Sequence, residues 1–350
     1  MSDSEKADFE SFDVASEAKP HTFAPGEMLT CDACLRANPP TRAACLYCGA
    51  DLPVTANELD PEPAGETIGS TAAPAANVSD AYYIVLAATQ TKSSSESTLS
   101  EIASILHLNV PEVQSVLDGG RPVPVAQAAT VEQAAQLTEK LQALGCKADA
   151  FRDDGWGLDI PGRKIRALEL LDDGFIGVRV SDGGRVSASW DELVLIIAGR
   201  LLMNRVEVEE RRRRGRAQPL GTRELFSDES VLDLYTKSTD SGWRISASSF
   251  DFSCLGSAKG LTAFENFTAL LNLLRVRAPN VEVDTAYQSL RPVLANVWAL
   301  EPQTRTGEWR RSGAGKYDMA TVTTTDNEGQ FNRYSRLCHR LKLRDVEGQG

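Results

Sequence analysis

Two pairs of cysteines give the sequence its clearest chemistry. Cys31 and Cys34 form one Cys-x-x-Cys pair, Cys45 and Cys48 form a second, and ten residues separate the pairs. This spacing allows four thiolates to converge on one tetrahedral Zn²⁺ ion. We therefore expect one structural zinc ion as the cofactor of this chain, with these four residues as its ligands.

A zinc site of this kind is structural rather than catalytic. Four protein ligands fill the coordination sphere and leave no position for a reacting water. A module of about 25 residues, here residues 26–53, cannot bury a useful core, so the metal would supply the folding energy, about 10–16 kcal/mol in comparable peptides. Two alternatives stay open at this point: the spacing arose by chance, or the cysteines form two disulfides.

The same segment resembles the Ran-binding-protein type of zinc finger. The pattern Cys-x2-Cys-x3-Asn-x6-Cys-x2-Cys maps the four cysteines onto the zinc ligands of that family and Asn38 onto its structural asparagine. Leu29 stands where the family has a tryptophan, and Pro39 where an aromatic residue is common. Ubiquitin-binding members carry Thr-Phe where this chain has Leu35-Arg36, so the resemblance implies neither RNA nor ubiquitin binding. The segment is equally similar to small bacterial zinc ribbons, which implies a structural or interaction module.

Motifs for other chemistry are missing from the sequence. It has no Gly-x4-Gly-Lys-Ser/Thr phosphate loop, no Gly-x-Gly-x-x-Gly, no His-Glu-x-x-His and no Gly-x-Ser-x-Gly. His21, His107 and His339 are the three histidines, so acid–base chemistry has few candidates. We expect no catalytic residues, while an active site assembled from distant Asp, Glu or Lys side chains stays open.

The negative charge of the chain is concentrated in its N-terminal part. The formal net charge is −12, and residues 1–80 hold four basic against fourteen acidic residues. Phosphates would repel such a segment, so we do not expect nucleic acid or an anionic membrane as a partner.

Acidic residues stand where a signal peptide has basic ones, and no apolar run reaches the ~18 residues of a membrane-spanning helix. We therefore expect a cytoplasmic protein whose thiols bind metal.

The length of 350 residues suits several domains rather than one core. Composition and hydrophobic periodicity together predict a multidomain α+β protein. Its predicted parts are a disordered acidic tail at 1–25, a zinc finger at 26–53, a flexible linker at 54–80, a small α/β domain at 81–152, a β-rich barrel-like domain with a capping helix at 158–300, and a mostly flexible tail at 301–350.

The small α/β domain is predicted in the order βααβαβ. A buried-strand pattern begins at Tyr82, two apolar helical faces follow, and Thr130 caps a third helix that Gly145 ends. This order resembles the C-terminal domain of the ribosomal stalk protein and the related adaptor of the Clp protease, which implies a protein-binding module. The alternative is an ordinary packing unit with no binding role.

The β-rich domain is predicted from a series of strands followed by one long helix. Asp172-Asp173-Gly174 is a hairpin signal between two strands, and the helix near Thr262–Arg277 carries Phe264, Phe267, Leu270 and Leu274 on one face. Residues 158–278 resemble bacterial pleckstrin-homology-like domains. The resemblance implies a β-barrel closed by a C-terminal helix that binds proteins or lipids.

The run Glu207–Arg216 has two interpretations. Its arginines, Arg211–Arg214 and Arg216, attract phosphate groups. We favour the other interpretation, a solvated insertion whose glutamates would pair with arginines four residues further on if the segment is helical.

Taken together, these patterns favour a non-enzymatic zinc-binding adaptor or scaffold that joins protein partners. Linked modules raise the effective concentration of each bound partner. The alternative is a nucleic-acid-binding regulator that uses the zinc finger and the arginine cluster at 211–216, and an enzyme within 158–300 is a third possibility. The sequence does not specify the partner or the oligomeric state.

Overall fold

The computed structural model describes residues 29–31, 36–38, 81–87, 95–152, 156–213, 216–237, 242–300, 302–311 and 317–347. Over this part of the chain the fold is mixed α+β. The predicted tail at 1–25 and the predicted linker at 54–80 lie outside it. None of the helices in these ranges is both long enough and apolar enough to cross a membrane.

The first described element is a short antiparallel hairpin. Strand β1 (Leu29–Thr30) pairs with β2 (Ala37–Asn38), so that Leu29 lies opposite Asn38. The hairpin therefore brackets the segment that contains the first cysteine pair.

Residues 82–152 form a three-stranded antiparallel sheet with three helices. Strand β3 (Tyr82–Ala87) is central, between β4 (Val123–Ala128) and β5 (Lys147–Arg152). The helices are α1 (Glu96–Leu106), α2 (Val110–Asp118) and α3 (Val131–Ala143). The elements follow the predicted order βααβαβ.

Side-chain caps fix where these helices begin. Ser95, Asn109 and Thr130 each accept a hydrogen bond from the backbone N–H three residues further on. Such caps satisfy amide groups that have no partner within the helix. Helix α1 ends at His107, whose φ of 54° lies in the left-handed region.

Most of the remaining strands build one large sheet. They are β6 (Arg163–Leu170), β7 (Gly174–Arg179), β8 (Arg185–Ser189), β9 (Leu193–Arg213), β10 (Arg216–Thr236), β11 (Trp243–Ser246), β12 (Glu282–Asp284), β13 (Gln303–Arg311) and β14 (Tyr317–Asp326). The order is β13-β14-β9-β10-β11-β6-β7-β8, and β12 pairs with β9 outside this path. Pairs β11–β6 and β12–β9 are parallel, and the other neighbours are antiparallel.

The predicted barrel is not closed in the described part of the chain. Strands β13 and β8 stand at opposite ends of the strand order. Strand β9 has 21 residues and continues beyond the core, where it lies between β14 and β10. The helical pairing considered for Glu207–Arg216 does not form, because Glu207–Arg213 belong to β9 and Arg216 begins β10.

One face of the sheet is covered by helix α4 (Ala263–Arg277), which follows its N-cap Thr262. Its side chains Phe267, Leu270 and Leu274 share a core with strands β6–β11. Phe264, predicted on the same apolar face, is instead 74% exposed. It lies in the first turn, before the helix reaches the sheet.

The other face carries helices α5 (Tyr287–Val297) and α6 (Glu328–Glu347). Their apolar side chains join one continuous core with the sheet of residues 82–152. The structure thus differs from the predicted mostly flexible tail at 301–350, since this range holds β13, β14 and α6, and Phe331, Tyr334 and Leu337 of α6 are fully buried.

Candidate metal centre and buried polar networks

The β1–β2 hairpin closes the loop that begins at Cys31. The backbone N–H of Cys31 donates to the carbonyl of Arg36 at 3.0 Å, and the Asn38 side-chain amide donates to the same carbonyl at 2.9 Å. Cys31 and Asn38 are both fully buried. These hydrogen bonds join the two ends of the segment that begins at Cys31 and ends at Arg36, while residues 32–35 lie outside the described part of the chain.

Of the four predicted zinc ligands, Cys31 is the one that the structure describes. Cys34, Cys45 and Cys48 lie outside the described residues. Within the described ranges, no three His, Cys, Asp or Glu side chains are grouped so as to hold a metal ion. The four-cysteine site is not tested by that finding, because three of its members are not part of those ranges.

A buried ion pair joins strands β10 and β11. Asp233 and Arg244 lie directly opposite each other, and Nε and Nη2 of Arg244 donate to the two carboxylate oxygens of Asp233 at 2.7 Å each. Both side chains are completely inaccessible to solvent. The Ser335 hydroxyl of α6 also donates to Asp233 at 2.7 Å, and the guanidinium lies 4.9 Å from the ring centre of Phe331. The pair therefore ties α6 to the sheet.

His339 of α6 extends this first network. Its ring stacks on Tyr235 with the centroids 4.4 Å apart, and Nε2 lies 2.9 Å from the carbonyl oxygen of Thr236. Burial is the main cause that lowers the pKa of His339 to about 4; the positive charges of Arg336 and Arg340 act in the same direction, and the hydrogen bond to Thr236 opposes them. His339 is therefore neutral in the folded protein near pH 7.

A second network surrounds Asp284 of β12. Its carboxylate accepts hydrogen bonds from the Tyr334 hydroxyl at 2.6 Å and the Ala286 N–H at 2.8 Å, and it pairs with Arg121. Arg121 follows α2, so this pair joins the small sheet unit to β12 and α6. Burial, followed by the charge of Asp284, raises the pKa of the Cys338 thiol well above its usual value.

These two networks have the character of structural cross-links. Each carboxylate in them is already neutralised by an arginine, and Cys338 is held as a neutral thiol. Cys338 and His339 are adjacent in sequence but contact different networks. Sequence patterns gave no signal for either ion pair, because the partners come from separate elements.

A shallow groove of about 310 Å³ lies between β5 and the end of α6. Lys147, Asp149 and Phe151 of β5 line one side, and Arg344 of α6 lies with its guanidinium 4.6 Å from the ring centre of Phe151. No member of the two buried networks is among its lining residues. The groove therefore has a mixed polar and aromatic surface that includes neither Asp233 nor Asp284.

No protein-family model matches the chain, and no curated protein or solved structure matches it either.

Proposed function

We propose that this protein is a cytoplasmic zinc-binding adaptor that holds protein partners together without catalysing a reaction. The observation that supports the proposal is the link between Cys31 and Arg36, where two hydrogen bonds converge on the Arg36 carbonyl. A short link between the two ends of this segment is compatible with the close spacing of a Cys-x-x-Cys ligand pair.

The donor set suits a structural zinc ion. Cys31 is buried, as a ligand of a closed site is, and Cys34, Cys45 and Cys48 would supply three further thiolates. Asn38 holds the hairpin together through its amide, a role consistent with the structural asparagine of the Ran-binding-type finger. Four thiolates leave no open coordination position, so the metal would stabilise residues 26–53 rather than activate water.

The two fold resemblances support the adaptor part of the proposal. The βααβαβ unit has the element order expected from the stalk and Clp-adaptor resemblance. Helix α4 packs on strands β6–β11, which is the helix-on-sheet part of the pleckstrin-homology-like resemblance, without its closed barrel. Both types of domain bind other molecules rather than transform them. The buried acids Asp233 and Asp284 support the same view, since both are committed to internal pairs.

The first test is the metal content of the full chain, purified under reducing conditions without added zinc. We expect one zinc ion per chain in the parent and none in the C31S/C34S variant. C146S is the matched control, because Cys146 is a buried cysteine of the small sheet unit. Absence of zinc from freshly reduced parent protein, or unchanged zinc in C31S/C34S, contradicts the proposed site.

The second test concerns the adaptor role. Proteins that co-purify with the parent and with C146S, and are lost from C31S/C34S, would be the partners that the zinc unit recruits. Identical sets of partners for all three proteins contradict a role of the zinc unit in recruitment.

A further inference from the structure

The outer parts of four strands form an extension of the large sheet beyond its core. This extension, which we call the arm, comprises residues 203–213 of β9, 216–227 of β10, 303–311 of β13 and 317–326 of β14. Arg211 lies opposite Asp318, and Asp318 lies opposite Arg310. Directly opposite residues share a face of a sheet. The register therefore brings Arg211 and Arg310, which are distant in sequence, onto one face.

The same register assigns a face to the other charged positions of the arm. Residues two apart in a strand share a face, so one face, which we call the arginine face, has seven arginines and four acidic residues. They are Arg205, Arg211, Arg213, Arg216, Arg223, Arg305 and Arg310, with Glu207, Glu209, Asp318 and Asp326. The opposite face has Arg212 and Arg311 against Glu210, Glu224 and Glu308. The net charge is thus +3 on the arginine face and −1 on the other.

Side-chain contacts nearer the core agree with this assignment. Arg205 and Glu207 form an ion pair at 2.6 Å, as two positions on one face do. On the opposite face, Asn204 donates to Glu224 at 3.0 Å. Arg305 is exposed to solvent, as is Arg223.

The dimensions of the arginine face match a long polyanion. From Arg205 to Arg213 the strand extends about 27 Å at ~3.4 Å per residue, and four strands span about 14 Å. One strand of a nucleic-acid duplex presents a phosphate every ~3.4 Å along the axis. The guanidinium group matches phosphate geometry, and the face contains no lysine and no aromatic residue at a paired position. Contacts to the phosphate backbone are therefore favoured over base stacking.

We propose that the arginine face binds the phosphate backbone of a nucleic-acid duplex without regard to sequence. The proposal goes beyond the adaptor function and does not depend on zinc. The net charge of −12 does not exclude it, because binding follows the local field of a surface rather than the average over the chain, and the acidic excess is concentrated in residues 1–80.

The test uses the full chain and a fluorescently labelled DNA duplex of about 24 base pairs, with affinity measured by anisotropy between 50 and 200 mM salt. The variant R211A/R310A removes two charges from the arginine face. The control R212A/R311A removes two charges from the neighbouring positions of the same strands on the opposite face. Each lost phosphate contact reduces the slope of log affinity against log salt by about 0.9.

We expect R211A/R310A to bind about tenfold more weakly at 50 mM salt and to lose almost two units of slope. R212A/R311A should stay within about twofold of the parent. R211K/R310K keeps the charge and should keep most of the slope, which separates lost charge from misfolding. The C31S/C34S variant should bind the duplex like the parent, so this proposal and the zinc proposal can fail separately.

Four outcomes overturn the proposal. Three of them are that the parent does not bind the duplex at 50 mM salt, that R211A/R310A and R212A/R311A lose affinity equally, and that C31S/C34S loses duplex binding. A fourth is displacement of the duplex by polyglutamate at equal charge concentration, which would assign the face to an acidic protein segment instead.

Discussion

His339 makes the stability of the folded protein depend on pH. Its pKa falls from 6.5 to about 4 in the fold, so the unfolded chain takes up a proton first as the pH is lowered. The stabilisation is complete above pH 6.5 and is lost as the pH falls towards 4. Linkage across this interval gives a loss of about 2 kcal/mol by pH 5 and about 3 kcal/mol by pH 4.

The contacts of the His339 ring explain why the fold favours its neutral form. The carbonyl of Thr236 can only accept, so Nε2 of His339 carries the hydrogen. Nδ1 is buried and has no hydrogen-bond partner among the described residues. Protonation would place a second N–H there, next to the charges of Arg336 and Arg340. A buried donor without an acceptor is costly in addition to the repulsion.

The assay is urea unfolding at pH 7.5, 6, 5 and 4, followed by tryptophan fluorescence, for the parent and H339Q. Glutamine can still donate to Thr236, so we expect a variant that is less stable at pH 7.5 but loses about 2 kcal/mol less between pH 7.5 and pH 5. H107N is the control, because His107 is exposed and asparagine tolerates its left-handed backbone. Equal losses in the parent and H339Q would refute the reasoning.

Two further predictions concern packing inside the sheet. D233N leaves the buried Arg244 with only its longer contact to Glu328, 3.4 Å away, and should lower the free energy of unfolding by about 3–5 kcal/mol, measured by urea unfolding at pH 7. A loss below about 1 kcal/mol would contradict a buried ion pair that excludes water. G199A places a methyl group against the ring of Phe331 and should cost about 1–3 kcal/mol, whereas G221A, which meets open space, should be nearly neutral. The double variant G199A/F331L should lose less than the sum of its single variants, and simple additivity would argue against the contact.

Local signals in the sequence were sufficient for many helices and turns. Thr130 caps α3 as expected, α4 lies where a helix near Thr262–Arg277 was expected, and the turn Asp172–Gly174 joins β6 to β7. These features depend on residues close together in the chain, so their physical causes can be recognised without the fold. The cysteine spacing is a signal of the same kind.

Several elements that the sequence analysis identified incompletely or not at all bury polar residues or lack apolar ones. The buried face of α6 includes Gln330, Ser335, Arg336 and His339, so it has no continuous apolar stripe. Strands β13 and β14 are rich in threonine and charged residues, and the charged half of β9 follows an apolar run that had already defined a strand. Cross-strand partners stabilise these elements, and partner identity is not a local property.

The candidate sites also divide into those that the sequence alone predicts and those that depend on how the chain folds. Cys31 could be identified from spacing alone, whereas the pairing of Asp233 with Arg244, or of Arg121 with Asp284, depends on how separate elements meet. The arginine face is an intermediate case. The cluster at 211–216 is visible in the sequence, but Arg305 and Arg310 join it only through the register of β13 and β14.

The position of α6 also determines when the protein can complete its fold during synthesis. The core that includes β3 also contains Phe331, Tyr334 and Leu337 of α6. The backbone N–H of Leu202 donates to the side chain of Asn327, which is 125 residues further along the chain. Until α6 leaves the ribosome, the apolar sheet face with Ile197 and Val231 stays uncovered. Contacts of such long range form slowly and expose aggregation-prone surface. We therefore expect the nascent chain to depend on chaperones until its last helix has been made.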